Sequence, residues 1–190
     1  MKILFCYHNK LALKLAELLK NDGNEVVLWK EPLELSALQK IAPDKIISYS
    51  YRYIIKKEII DFMSTSIVNL HISYLPWNRG ANPNFWSFVE NTPKGVTIHE
   101  IDEKLDQGKI LLQKEMEFDE STETFATTYD KLNKEIIRLF YEHREAILKE
   151  QISGTTVTEE GSYHSMADFT EYTKNRKVTW NDVIAQYKRS

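Results

Sequence analysis

Four short apolar runs recur early in the chain: KILFCY at 2–7, EVVLW at 25–29, KIISY at 45–49 and SIVNL at 66–70. Runs this short and this continuous read as strands, the first of them buried. A helix-compatible segment lies in each gap. Leu11–Leu19 carries apolar residues at 11, 13, 15, 16, 18 and 19 and stops at Asn21-Asp22-Gly23. Leu35–Ile41 stops before Pro43, and Lys56–Met63 follows the third run. Strand, helix, strand repeated in this way predicts right-handed crossovers, and so a parallel α/β sheet.

The rest of the chain extends that sheet. Asn82-Pro83 predicts an N-cap and a first helical residue, with Phe85, Trp86, Phe88 and Val89 following and Pro93 and Gly95 ending the segment. Val96–Ile101 (VTIHEI) alternates apolar and polar, which predicts a strand with one wetter face. Lys109–Phe118 predicts another strand, with Gly108 supplying the turn before it. Ser121–Leu148 holds apolar residues at helical spacing, with acidic residues early and basic ones late, as the helix dipole prefers. Beyond Gln151 the pattern weakens to loop, with short helices expected at Ser165–Tyr172 and Thr179–Tyr187. The expected organisation is one domain over 1–150 and a short C-terminal extension, 151–190, packed on it.

Composition narrows the function. Hydrophobic residues make up 42% of the 190 positions, enough for a sizeable core, and the formal net charge of -3 argues against a chain that wraps nucleic acid. The single Cys6 lies inside the first apolar run and reads as a small buried hydrophobe; it excludes an internal disulfide and a multi-cysteine zinc site. The opening MKILFCYH is too short an apolar run for a signal peptide or a membrane span, so a cytoplasmic location and no membrane partner are expected.

Chemistry concentrates between Val68 and Leu111. Asn69 and His71 alternate with Leu70 and so share one face of a strand end. Histidine exchanges a proton near neutral pH, and asparagine can donate an N–H to a developing oxyanion. Asp106, in the loop EKLDQGKI, can orient an imidazole or hold its charged form. The first strand-to-helix turn, CYHNKLAL, has no glycine and so makes no phosphate cradle; His8 and Asn9 read there as a helix cap or as pocket lining.

The joint pattern N-L-H-I-S-Y-L-P-x-x-R-G, P-K-G-V-T-I-H-E-I-D and L-D-Q-G-K-I-L resembles the formyltransferase family that uses 10-formyltetrahydrofolate. Tyr74 departs from it, standing where that family usually has leucine. The resemblance extends over roughly residues 1–148. It implies an open, mostly parallel Rossmann-like α/β sheet with helices on both faces. It implies Asn69, His71 and Asp106 as catalytic residues, and attack of a primary amine on the formyl carbon through a tetrahedral intermediate. No metal is expected. The resemblance carries a folate pocket onto Arg52, Tyr53, Ile54 and Ile55 and onto the loop before Asp106, with Ile101, Asp102 and Leu105.

The segment after His71 bears on the acceptor. It is most similar to sugar N-formyltransferases acting on dTDP- or UDP-linked amino sugars, and next to the formylation domain of some peptide synthetases. Tyr74, Trp77, Asn78, Arg79 and Gly80 are the candidate acceptor residues, with Arg79 to meet a pyrophosphate; Trp77 and Trp86 read equally well as packing. Methionyl-tRNA fits less well, because the one basic cluster is Lys174-Asn175-Arg176-Lys177. A folate-binding regulatory protein is the alternative outside catalysis. A homodimer is compatible with the apolar C-terminal strands.

Overall fold

The computed structural model describes residues 1–187. Its elements, in order, are β1 (Lys2–Tyr7), α1 (Ala12–Asn21), β2 (Glu25–Trp29), α2 (Leu35–Ile41), β3 (Lys45–Tyr49), α3 (Lys57–Phe62), β4 (Val68–His71), β5 (Arg79–Gly80), α4 (Pro83–Val89), β6 (Gly95–Glu100), β7 (Ile110–Glu115), α5 (Phe125–Leu148), β8 (Tyr163–His164) and α6 (Met166–Thr173). A 3₁₀ turn, Ile184–Tyr187, replaces the last expected helix.

The main sheet has the order β2-β1-β3-β4-β6-β7. The first four strands are parallel; β6 and β7 are added antiparallel. Side-chain alternation along each strand divides the core into two layers. Ile3, Phe5 and Tyr7 face α1 and α5 with Leu15, Leu19, Leu132, Ile136 and Phe140. Leu4 and Cys6 face α2 and α3 with Leu38, Ile55 and Ile59. Cys6 is thus a core residue, and burial pushes its thiol pKa up to about 12. A third cluster joins Phe85, Trp86, Phe88 and Phe125 to Phe169, Tyr172 and Tyr187 of the C-terminal segment.

Three further expectations change. β6 has no wet face: Gly95 through His99 are buried, because its polar side chains find internal partners. Thr97 Oγ1 donates to the Ser73 carbonyl at 2.7 Å and accepts from Leu75 N at 3.1 Å. Asn82 precedes α4 but does not cap it with its side chain; it takes a left-handed φ of 52°, and its amide turns to Met166 Sδ at 3.5 Å. Finally, α5 carries no acidic residue in its first turn and no basic residue in its last. It begins instead at a capping box in which Thr124 and Thr127 satisfy each other's backbone N–H groups. Among the described residues no helix is long and apolar enough to cross a membrane.

Candidate active site

A cleft of about 710 Å³ opens where β1, β3 and β4 end. Open α/β sheets bind ligands at the carboxyl ends of their strands, where neighbouring connections diverge. His8 and Asn9 follow β1, Ser50 to Ile55 follow β3, and Asn69 and His71 close β4; all line the cleft. Asn9 bonds the first residue of α1 without standing at its N-cap position, which is Leu11: its Oδ1 accepts from Ala12 N at 3.1 Å, while its amide donates to Tyr129 on α5 at 3.0 Å.

The antiparallel register of β4 and β6 sets Asn69 directly opposite His99. His99 Nδ1 donates to the Glu100 carbonyl at 2.7 Å, so its Nε2 is the bare nitrogen. Asn69 Nδ2 donates to that nitrogen at 3.1 Å. Burial pushes the His99 pKa down to about 4; Asp106 opposes this, His71 adds to it and the Glu100 carbonyl opposes it. His99 is therefore neutral at neutral pH.

Asp106 enters from the β6–β7 loop with a left-handed φ of 52°, a conformation aspartate tolerates better than most residues. Its Oδ2 accepts from Gly80 N at 2.8 Å and stands 3.9 Å from His71 Nδ1; its Oδ1 stands 3.6 Å from His99 Nε2. The loop reaches this position because Gly108 lies against the end of β6. A Cβ there would sit 1.9 Å from the Glu100 carbonyl oxygen. His71 Nε2 lies 3.3 Å from the Asn78 carbonyl. A carbonyl only accepts, so Nε2 carries the proton and Nδ1 is the free base, turned toward Asp106. An amide donor, a free imidazole nitrogen and a carboxylate thus converge on one end of the cleft, a set suited to acyl-type transfer with proton removal.

All seven residues expected to hold a folate line this cleft: Arg52, Tyr53, Ile54, Ile55, Ile101, Asp102 and Leu105. Arg52 donates to His8 Nε2 at 2.6 Å. Ile54 is 74% exposed and Leu105 45%, so both hold apolar surface open to a ligand. Of the expected acceptor residues only Gly80 lines the cleft; Tyr74, Trp77, Asn78 and Arg79 do not. Arg79 is engaged elsewhere, donating to the carbonyls of Ser162 at 3.3 Å and Glu160 at 3.1 Å. Trp86 is buried and stacks on His164 with ring centroids 4.0 Å apart.

Sequence reasoning missed His99 and the C-terminal wall of the cleft, Tyr163 to Met166 and Trp180. The signal for His99 was its alternation with Thr97 inside an apolar strand. What was missing was the register that pairs it with Asn69.

A family model described as "Formyl transferase" matches residues 27–142. The formyltransferase PseJ from Anoxybacillus kamchatkensis, solved in complex with UDP-4,6-dideoxy-4-formamido-L-AltNAc and tetrahydrofolate, is 38% identical. It superposes with a TM-score of 0.90 over 98% of this chain and 97% of that one. The methionyl-tRNA formyltransferase of Syntrophus aciditrophicus is 40% identical over 105 residues, 55% of this chain and 33% of that protein. This chain therefore spans only part of that curated relative's length. The N-formyltransferase of Helicobacter canadensis, solved with folinic acid and dTDP-3-aminofucose, shares the fold with a TM-score of 0.70 at 21% identity, over 88% of this chain and 72% of that one. With the matched model spanning more than half its length, this chain belongs to the formyl transferase family.

Proposed function

We propose that the chain transfers a formyl group from 10-formyltetrahydrofolate to the primary amine of a nucleotide-linked amino sugar. The observation that carries this reading is the convergence of Asn69, His71 and Asp106 between two unlike walls of one cleft.

The residues present fit the donor. Tyr53, Ile54, Ile55, Ile101 and Leu105 give apolar surface for a flat heterocycle, with Arg52 and Asp102 as polar groups beside them. Bound there, the donor supplies a formyl carbon open to attack by an amine, with negative charge developing on the formyl oxygen. Asn69, its amide fixed by His99, offers its second N–H to that charge. His71 Nδ1 takes the proton the amine loses, Asp106 stabilises the imidazolium that results, and His71 returns that proton to the departing donor nitrogen as its bond to the formyl carbon breaks, leaving the formamide and tetrahydrofolate.

The opposite wall suits the acceptor. Tyr163, Met166 and Trp180 are 53%, 60% and 44% exposed there, surface on which a base and a sugar can stack. Residues 1–150 then supply the donor site and the reacting groups, and the C-terminal extension supplies the acceptor wall.

The 40% identity to a methionyl-tRNA formyltransferase favours a second acceptor, but it covers 55% of the chain, whereas the similarity to PseJ covers 98%. The test incubates the protein with 10-formyltetrahydrofolate and panels of UDP- and dTDP-amino sugars, methionyl-tRNA and an aminoacyl carrier protein, reading product mass. Formylation of a sugar is the expected result. Activity confined to the tRNA or the carrier would replace the acceptor, and tight donor binding with no product from any panel would move the chain to folate binding alone.

A further inference from the structure

Both proton-handling residues hang on one short segment, Asn78 to Ala81. The Asn78 carbonyl accepts from His71 Nε2 at 3.3 Å, and Gly80 N donates to Asp106 Oδ2 at 2.8 Å. That segment is held from the far end of the chain. Ser162 Oγ accepts from Asn78 N at 2.8 Å and lies 3.4 Å from Asn78 Oδ1, to which it donates. The Ser162 carbonyl accepts from Arg79 N at 3.0 Å and the His164 carbonyl from Ala81 N at 2.7 Å. Alternation along β5 turns the N–H between them, that of Gly80, away from β8 and onto the carboxylate. The fit leaves no room for a side chain: a Cβ on Gly80 would sit 2.4 Å from the His164 carbonyl oxygen. Asn78 is fully buried at a left-handed φ of 56°, and its amide is tied to Thr92 Oγ1 at 2.7 Å. Its carbonyl shares a peptide plane with the Arg79 N–H, so its direction is set from Ser162 on both sides, by the hydroxyl on Asn78 N and by the carbonyl on Arg79 N.

We propose that Ser162 is a positioning residue for formyl transfer. Its hydroxyl holds Asn78 so that the Asn78 carbonyl keeps the proton of neutral His71 on Nε2, leaving Nδ1 as the base that faces Asp106. This rests on the reading of His71 and Asp106 as the proton-handling pair. Ser162 does not line the cleft; it acts through Asn78.

The first test needs no substrate. In long-range ¹H–¹⁵N spectra of the free protein, neutral His71 is expected as the Nε2–H tautomer in the parent and as a mixture in Ser162→Ala. An unchanged tautomer in a folded Ser162→Ala protein overturns the inference. The second test is kinetic. Ser162→Ala lowers kcat about 10-fold while both KM values stay within about twofold, the signature of misplaced reacting groups rather than lost binding. The acidic limb of its kcat–pH profile moves, and Ser162→Thr, which keeps the hydroxyl, restores both. If Ser162→Ala does not fold, Ser162→Cys against Ser162→Thr decides the matter: the thiol is the poorer partner, and equal kcat values in the two overturn the inference. His71→Ala and Asp106→Asn run alongside. Loss of turnover in these two with unchanged kcat and pH profile in Ser162→Ala defeats the inference alone. Retained turnover in these two defeats the reading of the site, and this inference with it.

Discussion

Asn69 and His99 face each other across the β4–β6 ladder, the amide Nδ2 3.1 Å from the imidazole Nε2. The contact settles the orientation of both side chains. His99 gives its one proton to the Glu100 carbonyl, so it can only accept from Asn69, and the Asn69 amide must turn its NH₂ toward His99. A protonated His99 would break this arrangement.

That exclusion predicts a pH-dependent stability. The His99 pKa is lowered to about 4 from an ordinary 6.5, so between these values the unfolded chain binds a proton that the folded chain refuses. Stability therefore falls as pH drops through this window and is unaffected by His99 above it. The loss between pH 7 and pH 5 is about 2 kcal/mol. Urea unfolding at the two pH values measures it, and a folded His99→Gln variant is expected to flatten the slope. An equal slope in that variant would assign the effect to another group.

Substitution of the pair proposed to handle the proton should cost rate rather than fold. His71→Ala and Asp106→Asn are each expected to lower kcat by about 10²–10⁴, the range typical of lost acid–base catalysis. Donor affinity, read by quenching of intrinsic fluorescence on titration with tetrahydrofolate, should stay close to that of the parent. Near-normal turnover in either folded variant contradicts the mechanism.

Gly108→Ala separates loop placement from chemistry. The new methyl cannot share space with the Glu100 carbonyl oxygen, 1.9 Å away, so the Asp106 loop must lift. A shift of about 1 Å at a reacting group costs on the order of 10²-fold in kcat. The circular dichroism spectrum should be unchanged, because β6 and β7 keep their pairing. Full activity in this variant would mean that the loop relaxes without moving the carboxylate.

Ile54→Ala tests the donor wall. Ile54 is 74% exposed in the cleft, so its truncation opens no core cavity and should change stability by no more than about 0.5 kcal/mol. It removes apolar surface that a bound ring would cover, raising the donor KM by about 3–10-fold with kcat retained. A changed acceptor KM with an unchanged donor KM would exchange the two walls.

Much of the frame was legible in the residues. β1 and β3 begin and end where their apolar runs do, since a strand buried on both faces writes itself as a continuous run; β2 also matches its run, although it lies at the sheet edge and leaves Leu28 exposed. Asn69, His71 and Asp106 were legible as a set because their spacing matches a family pattern. The seven residues expected to hold a folate followed from the same pattern, and all of them line the cleft. What escaped depended on contacts between distant segments. His99 matters only once β4 and β6 are paired in register. Arg79 reads as a phosphate ligand until two carbonyls from residues 160 and 162 claim its guanidinium. The C-terminal lining of the cleft comes from a stretch whose local pattern is weak, since aromatic side chains of that stretch pack on α4 and α5 rather than on the sheet.

The pairing of β5 with β8 bears on when the enzyme becomes active as well as how. It joins residues 84 apart in sequence through two residue pairs, so few bonds offset a long loop closure. The six-stranded frame is stitched mostly by nearer neighbours and can assemble before that closure. On this order of assembly, Gly80 N reaches the Asp106 carboxylate only after β8 docks on β5. On refolding from urea, recovery of formyl transfer should lag recovery of the far-ultraviolet circular dichroism signal; coincident time courses would show that frame and latch close together.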